Sequence, residues 1–93
     1  MYNYYDWIKY EDEKEFVKKC EKMLVQSGFK ILKKTEHYFE PIGYTGLFLL
    51  AESHFAIHSF PEEEKIYIEL SSCVKEFYDN FIVNIKEYRK YNS

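Results

Sequence analysis

The chain has 93 residues, a single-domain length, and a chain of this size buries roughly 60–65% of its unfolded surface, which leaves a small stability margin. Aromatic residues make up 20% of it (ten Tyr, eight Phe, one Trp) against three Gly and two Pro, which excludes disorder, collagen-like repeats and low complexity. The formal net charge of −3 provides no basic field for nucleic acid or an acidic membrane surface, and no apolar run approaches the ~20 residues of a membrane helix.

Residues 1–10 are rich in β-favouring aromatics and alternate loosely, so a first strand is expected around Tyr4–Tyr10. The start, Met1 to Asp6, lacks the basic and apolar regions of a secretion signal, so a cytoplasmic protein is expected. Asp12 can cap a helix, with Glu15 three residues on completing a box-like pair. Phe16, Val17, Cys20, Met23, Leu24 and Ser27 then follow helical spacing, and Gly28 is placed to end the helix in a left-handed cap. From Phe29 the period moves toward two, and an extended segment runs to Phe39. Pro41 and Gly43 mark a turn.

Thr45 to Ala51 is nearly all apolar, which predicts a strand buried on both faces. His54 to Phe60 predicts the next strand, with His54, Ala56, His58 and Phe60 on one face and Phe55 and Ile57 on the other. Pro61 starts a turn. Glu64 to Cys73 predicts a further strand, with Ile66, Ile68 and Leu70 on one face and Tyr67, Glu69, Ser71 and Cys73 opposite. Val74, Phe77, Tyr78, Phe81, Ile82 and Ile85 repeat at helical spacing and predict a closing helix to about Lys90.

The order (β)-α-β-β-β-β-α predicts an α+β fold, an antiparallel sheet with two helices on one face. The helices cover only that face, so a doubly buried strand needs a second cover. A second copy of the chain is the simplest one, giving an αββα homodimer.

Few residues carry chemistry on their own. Two cysteines in a chain that looks cytosolic read as free thiols rather than a structural bridge. Cys20 lies in the apolar stripe of the first helix and reads as a small core residue. Cys73 lies at a strand-to-helix junction; a helix N-terminus favours a thiolate, so a reactive role is reasonable, although taken alone the residue reads as structural. His54 and His58 have the spacing of two zinc ligands on a helix, but they fall on a strand, and no third ligand is obvious unless Cys73 or Glu62 converges. No metal is expected. Glu62, Glu63 and Glu64 read as a solvated turn that can also bind a cationic or polyhydroxylated ligand.

The segment Glu52-Ser53-His54-Phe55-Ala56-Ile57-His58-Ser59-Phe60-Pro61-Glu62 resembles the self-cleavage segment of the prokaryotic S-adenosylmethionine decarboxylases. Upstream, Phe39-Glu40-Pro41-Ile42-Gly43-Tyr44-Thr45-Gly46 is similar to the family's Phe-x-Pro-x-Gly-x-Ser-Gly, and Cys73 follows Ser53 at the family's spacing for its catalytic cysteine. The resemblance is dense from Phe39 to Cys73 and follows element order from about Glu13 to Tyr88. It implies a domain spanning 1–93 that cuts itself between Glu52 and Ser53. The serine hydroxyl attacks the preceding carbonyl, the amide becomes an ester, and elimination and hydrolysis leave a pyruvoyl group. That carbonyl acts as the electron sink for decarboxylation.

By the same resemblance, His58 removes the α-proton during processing, Thr45 assists, and Cys73 returns a proton after loss of CO2. Phe39 and Phe60 stack on adenine, and Glu62 binds ribose hydroxyls. The sites lie between two protomers. The chain departs from the pattern at Thr45 (Ser in the family), Phe60 (Trp) and Val74 (Gly), and the family continues into one more strand after the second helix. The resemblance implies a cytoplasmic S-adenosylmethionine decarboxylase of polyamine synthesis. An arginine or ornithine decarboxylase with the same cofactor and an unprocessed, non-enzymatic regulatory subunit are the alternatives.

Overall fold

The computed structural model describes residues 1–92. The elements are β1 (Tyr2–Lys9), α1 (Glu13–Ser27), β2 (Ile31–Tyr38), β3 (Tyr44–Leu50), β4 (Ser53–Phe60), a short 3-10 turn (Pro61–Glu63), β5 (Lys65–Ser72) and α2 (Lys75–Asn92). The strands form one sheet in the order β1-β5-β4-β3-β2, and every neighbouring pair is antiparallel. The α+β expectation of one antiparallel sheet with two helices is met.

α1 forms as its sequence dictates. The Asp12 carboxylate accepts a hydrogen bond from the Glu15 backbone N–H at 3.1 Å, and Gly28 closes the helix at φ 116. The buried face consists of the six residues that periodicity picks out, Phe16, Val17, Cys20, Met23, Leu24 and Ser27. α2 buries Phe81 and Ile85 against the same core, with Phe77 and Tyr78 half-buried beside it. Asn84 Nδ2 donates to Ser27 Oγ at 2.9 Å and Asn80 Nδ2 to the Ser27 carbonyl at 3.0 Å, so a polar pair locks the two helices.

The sheet meets the helices through Phe48, Phe55, Ile57, Ile66, Ile68 and Leu70, all at most 1% exposed. The alternation expected for β4 holds: Phe55 and Ile57 are buried, while His54, Ala56, His58 and Phe60 lie on the open face. β3 differs from expectation. Tyr44, Gly46, Phe48 and Leu50 are buried, but Leu47 and Leu49 are about half exposed, at 51% and 52%. Both helices pack on one side, and among the described residues nothing covers the other. The last sheet residue is also earlier than expected. β5 ends at Ser72, and Cys73 sits exposed in a bend. The Ser72 side chain causes this: its Oγ accepts from the Val74 backbone N–H at 2.9 Å, which turns the chain into α2.

Candidate functional site

The candidate residues gather at two ends of the sheet. At one end, β3 and β4 form a tight hairpin. Leu50 pairs with Ser53, so Ala51 and Glu52 are the whole loop. Glu52 has φ 60, the left-handed region. Ser53 begins β4 and is 7% exposed. Its hydroxyl donates to Ser72 Oγ at 3.1 Å and accepts from the Cys73 backbone N–H at 3.4 Å. Ser72 Oγ in turn donates to the Val74 carbonyl at 3.1 Å. The register of β4 on β5, with Ser53 opposite Ser72, thus brings Ser53 to Cys73 although they are twenty residues apart. Cys73 Sγ also lies 3.7 Å from Met1 Sδ.

At the other end, Thr45 on β3 faces His58 on β4. Thr45 Oγ1 and His58 Nδ1 are 3.1 Å apart, a hydrogen bond. Tyr67 of β5 is the other neighbour of His58, with ring centroids 6.2 Å apart. The Tyr67 hydroxyl donates to Glu69 at 3.0 Å, and partial burial followed by that bond raises its pKa. Phe39 follows β2, about half exposed, with the His37 ring edge-on at 4.4 Å. Phe60 ends β4 and lies 5.7 Å from Trp7. Lys65 Nζ sits 4.3 Å over the Trp7 ring and 3.3 Å from Glu63. Glu62 is exposed on the 3-10 turn.

Ser53 and His58 are five residues apart on one strand. At ~3.4 Å per residue that separates them by about 17 Å, and an odd spacing puts them on opposite faces. One chain therefore brings together Glu52, Ser53 and Cys73, and separately Thr45, His58, Phe39, Phe60 and Glu62. It does not bring the two sets together.

Sequence reasoning passes over Ser72, which is fully buried and holds Ser53, and over Trp7 and Tyr67, which buttress Phe60 and His58. The available signal for Ser72 is its adjacency to Cys73. Among the described residues no cluster of three or more His, Cys, Asp or Glu is arranged to hold a metal. An open groove of about 230 Å³ between α1 and β2 is lined by Lys14, Val17, Lys18, Glu21, Lys34, Glu36 and Tyr38 and contains none of the candidate residues.

A profile of the family described as S-adenosylmethionine decarboxylase matches residues 2–88. The chain belongs to this family. Within it, the chain is 33% identical over 73 residues to the S-adenosylmethionine decarboxylase proenzyme of Clostridium botulinum (strain Langeland), covering 78% of this chain and 63% of that protein. It is 44% identical over 48 residues to the proenzyme of Prochlorococcus marinus (strain MIT 9313), covering 52% of this chain and 38% of that one. The chain thus spans less than two thirds of these relatives. The crystal structure of the adenosylmethionine decarboxylase from Aquifex aeolicus VF5 superposes with a TM-score of 0.74 at 17% identity, over 95% of this chain and 78% of that one. This S-adenosylmethionine decarboxylase family member therefore shares that fold.

The S-adenosylmethionine decarboxylase relatives are named proenzymes. In this chain Ser53 occupies a fixed, hydrogen-bonded place at the hairpin end, beside the free thiol of Cys73.

Proposed function

We propose that this chain is the precursor of a pyruvoyl-dependent decarboxylase acting on S-adenosylmethionine. The observation that carries the reading is the meeting of Ser53 with Ser72 and Cys73 at the hairpin that follows Glu52. The Ser53 hydroxyl lies on the residue whose own amide is to break, so attack on the Glu52 carbonyl needs no diffusion of a second reactant. In that step the Ser53 Oγ–carbon bond forms, the Glu52 carbon–nitrogen bond breaks, and the hydroxyl proton passes to the freed amine. Removal of the α-proton of residue 53 then expels the Glu52 carboxylate and divides the protein into chains of 52 and 41 residues.

The base for that removal is His58, with Thr45 Oγ1 at its Nδ1 holding the ring in place. Since His58 lies about 17 Å along the strand from Ser53 of the same chain, the base comes from a second copy. A two-fold homodimer that stacks the open sheet faces lays the Thr45–His58 end of one copy over the Ser53–Cys73 end of the other. The half-exposed Leu47 and Leu49 are then covered.

Hydrolysis of the dehydroalanine left at position 53 would release ammonia and leave a pyruvoyl group, whose carbonyl would withdraw electrons as the substrate loses CO2. Cys73 holds a proton at Sγ for return to carbon. Phe39 and Phe60 belong to elements two strands apart, about 10 Å, which admits one flat base between the rings. Glu62 on the exposed turn receives ribose hydroxyls. Polyamine synthesis is the expected use of the product.

Intact-mass measurement tests the cleavage. Two fragments breaking after Glu52, the second beginning with a pyruvoyl group, are expected. A single full-length mass after long incubation overturns the reading. CO2 release from S-adenosylmethionine, and not from arginine or ornithine, tests the substrate.

A further inference from the structure

We infer that Glu52 serves as a strained positioning residue, whose β-carbon in a left-handed backbone loads the bond that breaks. The inference deepens the self-cleavage reading and rests on it. Of the two loop residues between Leu50 and Ser53, only Glu52 has positive φ, at 60. A two-residue loop with positive φ at its second position favours Gly or Asn there. This chain uses Gly where a turn requires it elsewhere, at Gly28 and Gly43, but not here.

An L-residue with a long side chain is disfavoured in this region because its β-carbon crowds the following carbonyl. The surroundings enforce the conformation nonetheless. β3 and β4 are paired from Leu50–Ser53 to Tyr44–Ser59, Phe48 and Phe55 are sealed in the core on either side, and the Ser53 hydroxyl is tied to Ser72 and Cys73. Strain that a rigid frame over-determines persists, and here it falls on the residue that carries the carbonyl under attack. Cutting after Glu52 frees its φ and ψ, so the strain is present before the reaction and gone after it. The second left-handed non-glycine residue, Glu64, lies in the exposed turn before β5 and adjoins no candidate group.

The test compares Glu52→Ala with Glu52→Gly. Both lack the carboxylate, and they differ only by the β-carbon. Rates of chain division, followed by intact mass, are expected to be about tenfold higher for the alanine variant, equivalent to ~1.4 kcal/mol. A second readout uses the uncleavable Ser53→Ala background, where the glycine variant is expected to melt several degrees above the alanine variant because the strain is relieved. Equal division rates overturn the inference, as does an alanine variant that melts as high as the glycine one. A wild-type chain that stays whole overturns the self-cleavage reading beneath it, and the inference falls with it. Division of the wild type with alanine and glycine variants dividing alike sinks the strain alone.

Discussion

Single side chains set the tolerances around the Thr45–His58 pair. Gly46 adjoins Thr45 and faces the core, where the Tyr44 ring lies flat over it. A β-carbon at Gly46 would meet the Tyr44 hydroxyl oxygen at 2.3 Å. That hydroxyl donates to Glu36 Oε2 at 2.6 Å, across the edge strand. Gly46→Ala is expected to push the ring aside, break this bond and destabilise the fold by about 2–3 kcal/mol, within the usual cost of overpacking plus a lost, partly buried hydrogen bond. Chemical denaturation measures it; a loss under 0.5 kcal/mol would show that the ring swings freely. At Thr45 the hydroxyl matters more than the size. Thr45→Ser keeps a donor and acceptor near His58 Nδ1 and Thr45→Val does not, so the valine variant is expected to divide at least tenfold more slowly than the serine variant.

Several tyrosines report on the fold through their ionisation. Burial, and then the Asp6 carboxylate, push Tyr4 up to about 12. Burial, and then a bond to a glutamate, raise Tyr44 and Tyr88 further, through Glu36 and Glu11 respectively. In the unfolded chain these phenols titrate near 10. The folded state therefore holds its protons more tightly. Its contribution is fully present below about pH 10 and is lost as the pH climbs through the folded value, about 12 for Tyr4. Tyrosinate absorbance at alkaline pH is expected to rise in two phases, the second together with loss of circular dichroism. A single phase near pH 10 with the fold intact would contradict this.

Among the elements, helices were legible and the sheet's arrangement was not. The face of α1 follows from spacing because one stripe of a helix meets one core. The cap pair Asp12 and Gly28 is equally local. The pairing of β1 with β5, in contrast, is a long-range choice with no local signal. The apolar run of β3 reads as doubly buried, but one chain has cover for one face only. Cys73 leaves β5 because a serine hydroxyl outbids the ladder for the Val74 amide, a competition that strand periodicity does not express. The candidate residues were legible from their motif, while their division between two ends follows from the five-residue separation of Ser53 and His58 along one strand.

The seam between the helices depends on one residue without a side chain. At φ 116, Gly28 would place a β-carbon 2.5 Å from the Phe77 ring. Gly28→Ala combines a left-handed penalty with a clash, and about 2–4 kcal/mol of destabilisation is expected. Against a typical margin of 5–15 kcal/mol the variant remains folded but melts early. Urea unfolding with an unchanged slope would confirm a loss of stability without a change in the native surface. A neutral outcome would mean that Phe77 is free to leave the seam.

At the scale of the whole molecule, the open face presents Tyr5, Trp7, Leu47 and Leu49 with large exposed areas, and the two sets of candidate residues lie at opposite ends of the sheet. A shared site makes a prediction that a self-sufficient chain does not. Ser53→Ala alone is expected to stay whole, because no hydroxyl is left to attack. His58→Ala alone is expected to stall, because no base completes the elimination. In a mixed dimer, Ser53 and Cys73 of the His58→Ala chain face the intact Thr45–His58 pair of the Ser53→Ala chain, so one complete site re-forms. Its partner site lacks both groups. Mixing the two purified variants is therefore expected to divide the His58→Ala chain and leave the Ser53→Ala chain whole, with at most about half of the chains cut. Mass spectrometry distinguishes the two precursors directly. A shared site also predicts that the yield falls on dilution, because only the assembly would complete it. If neither chain divides in the mixture although the wild type does, the two ends serve a site within one copy, and β4 must bend to bring them together.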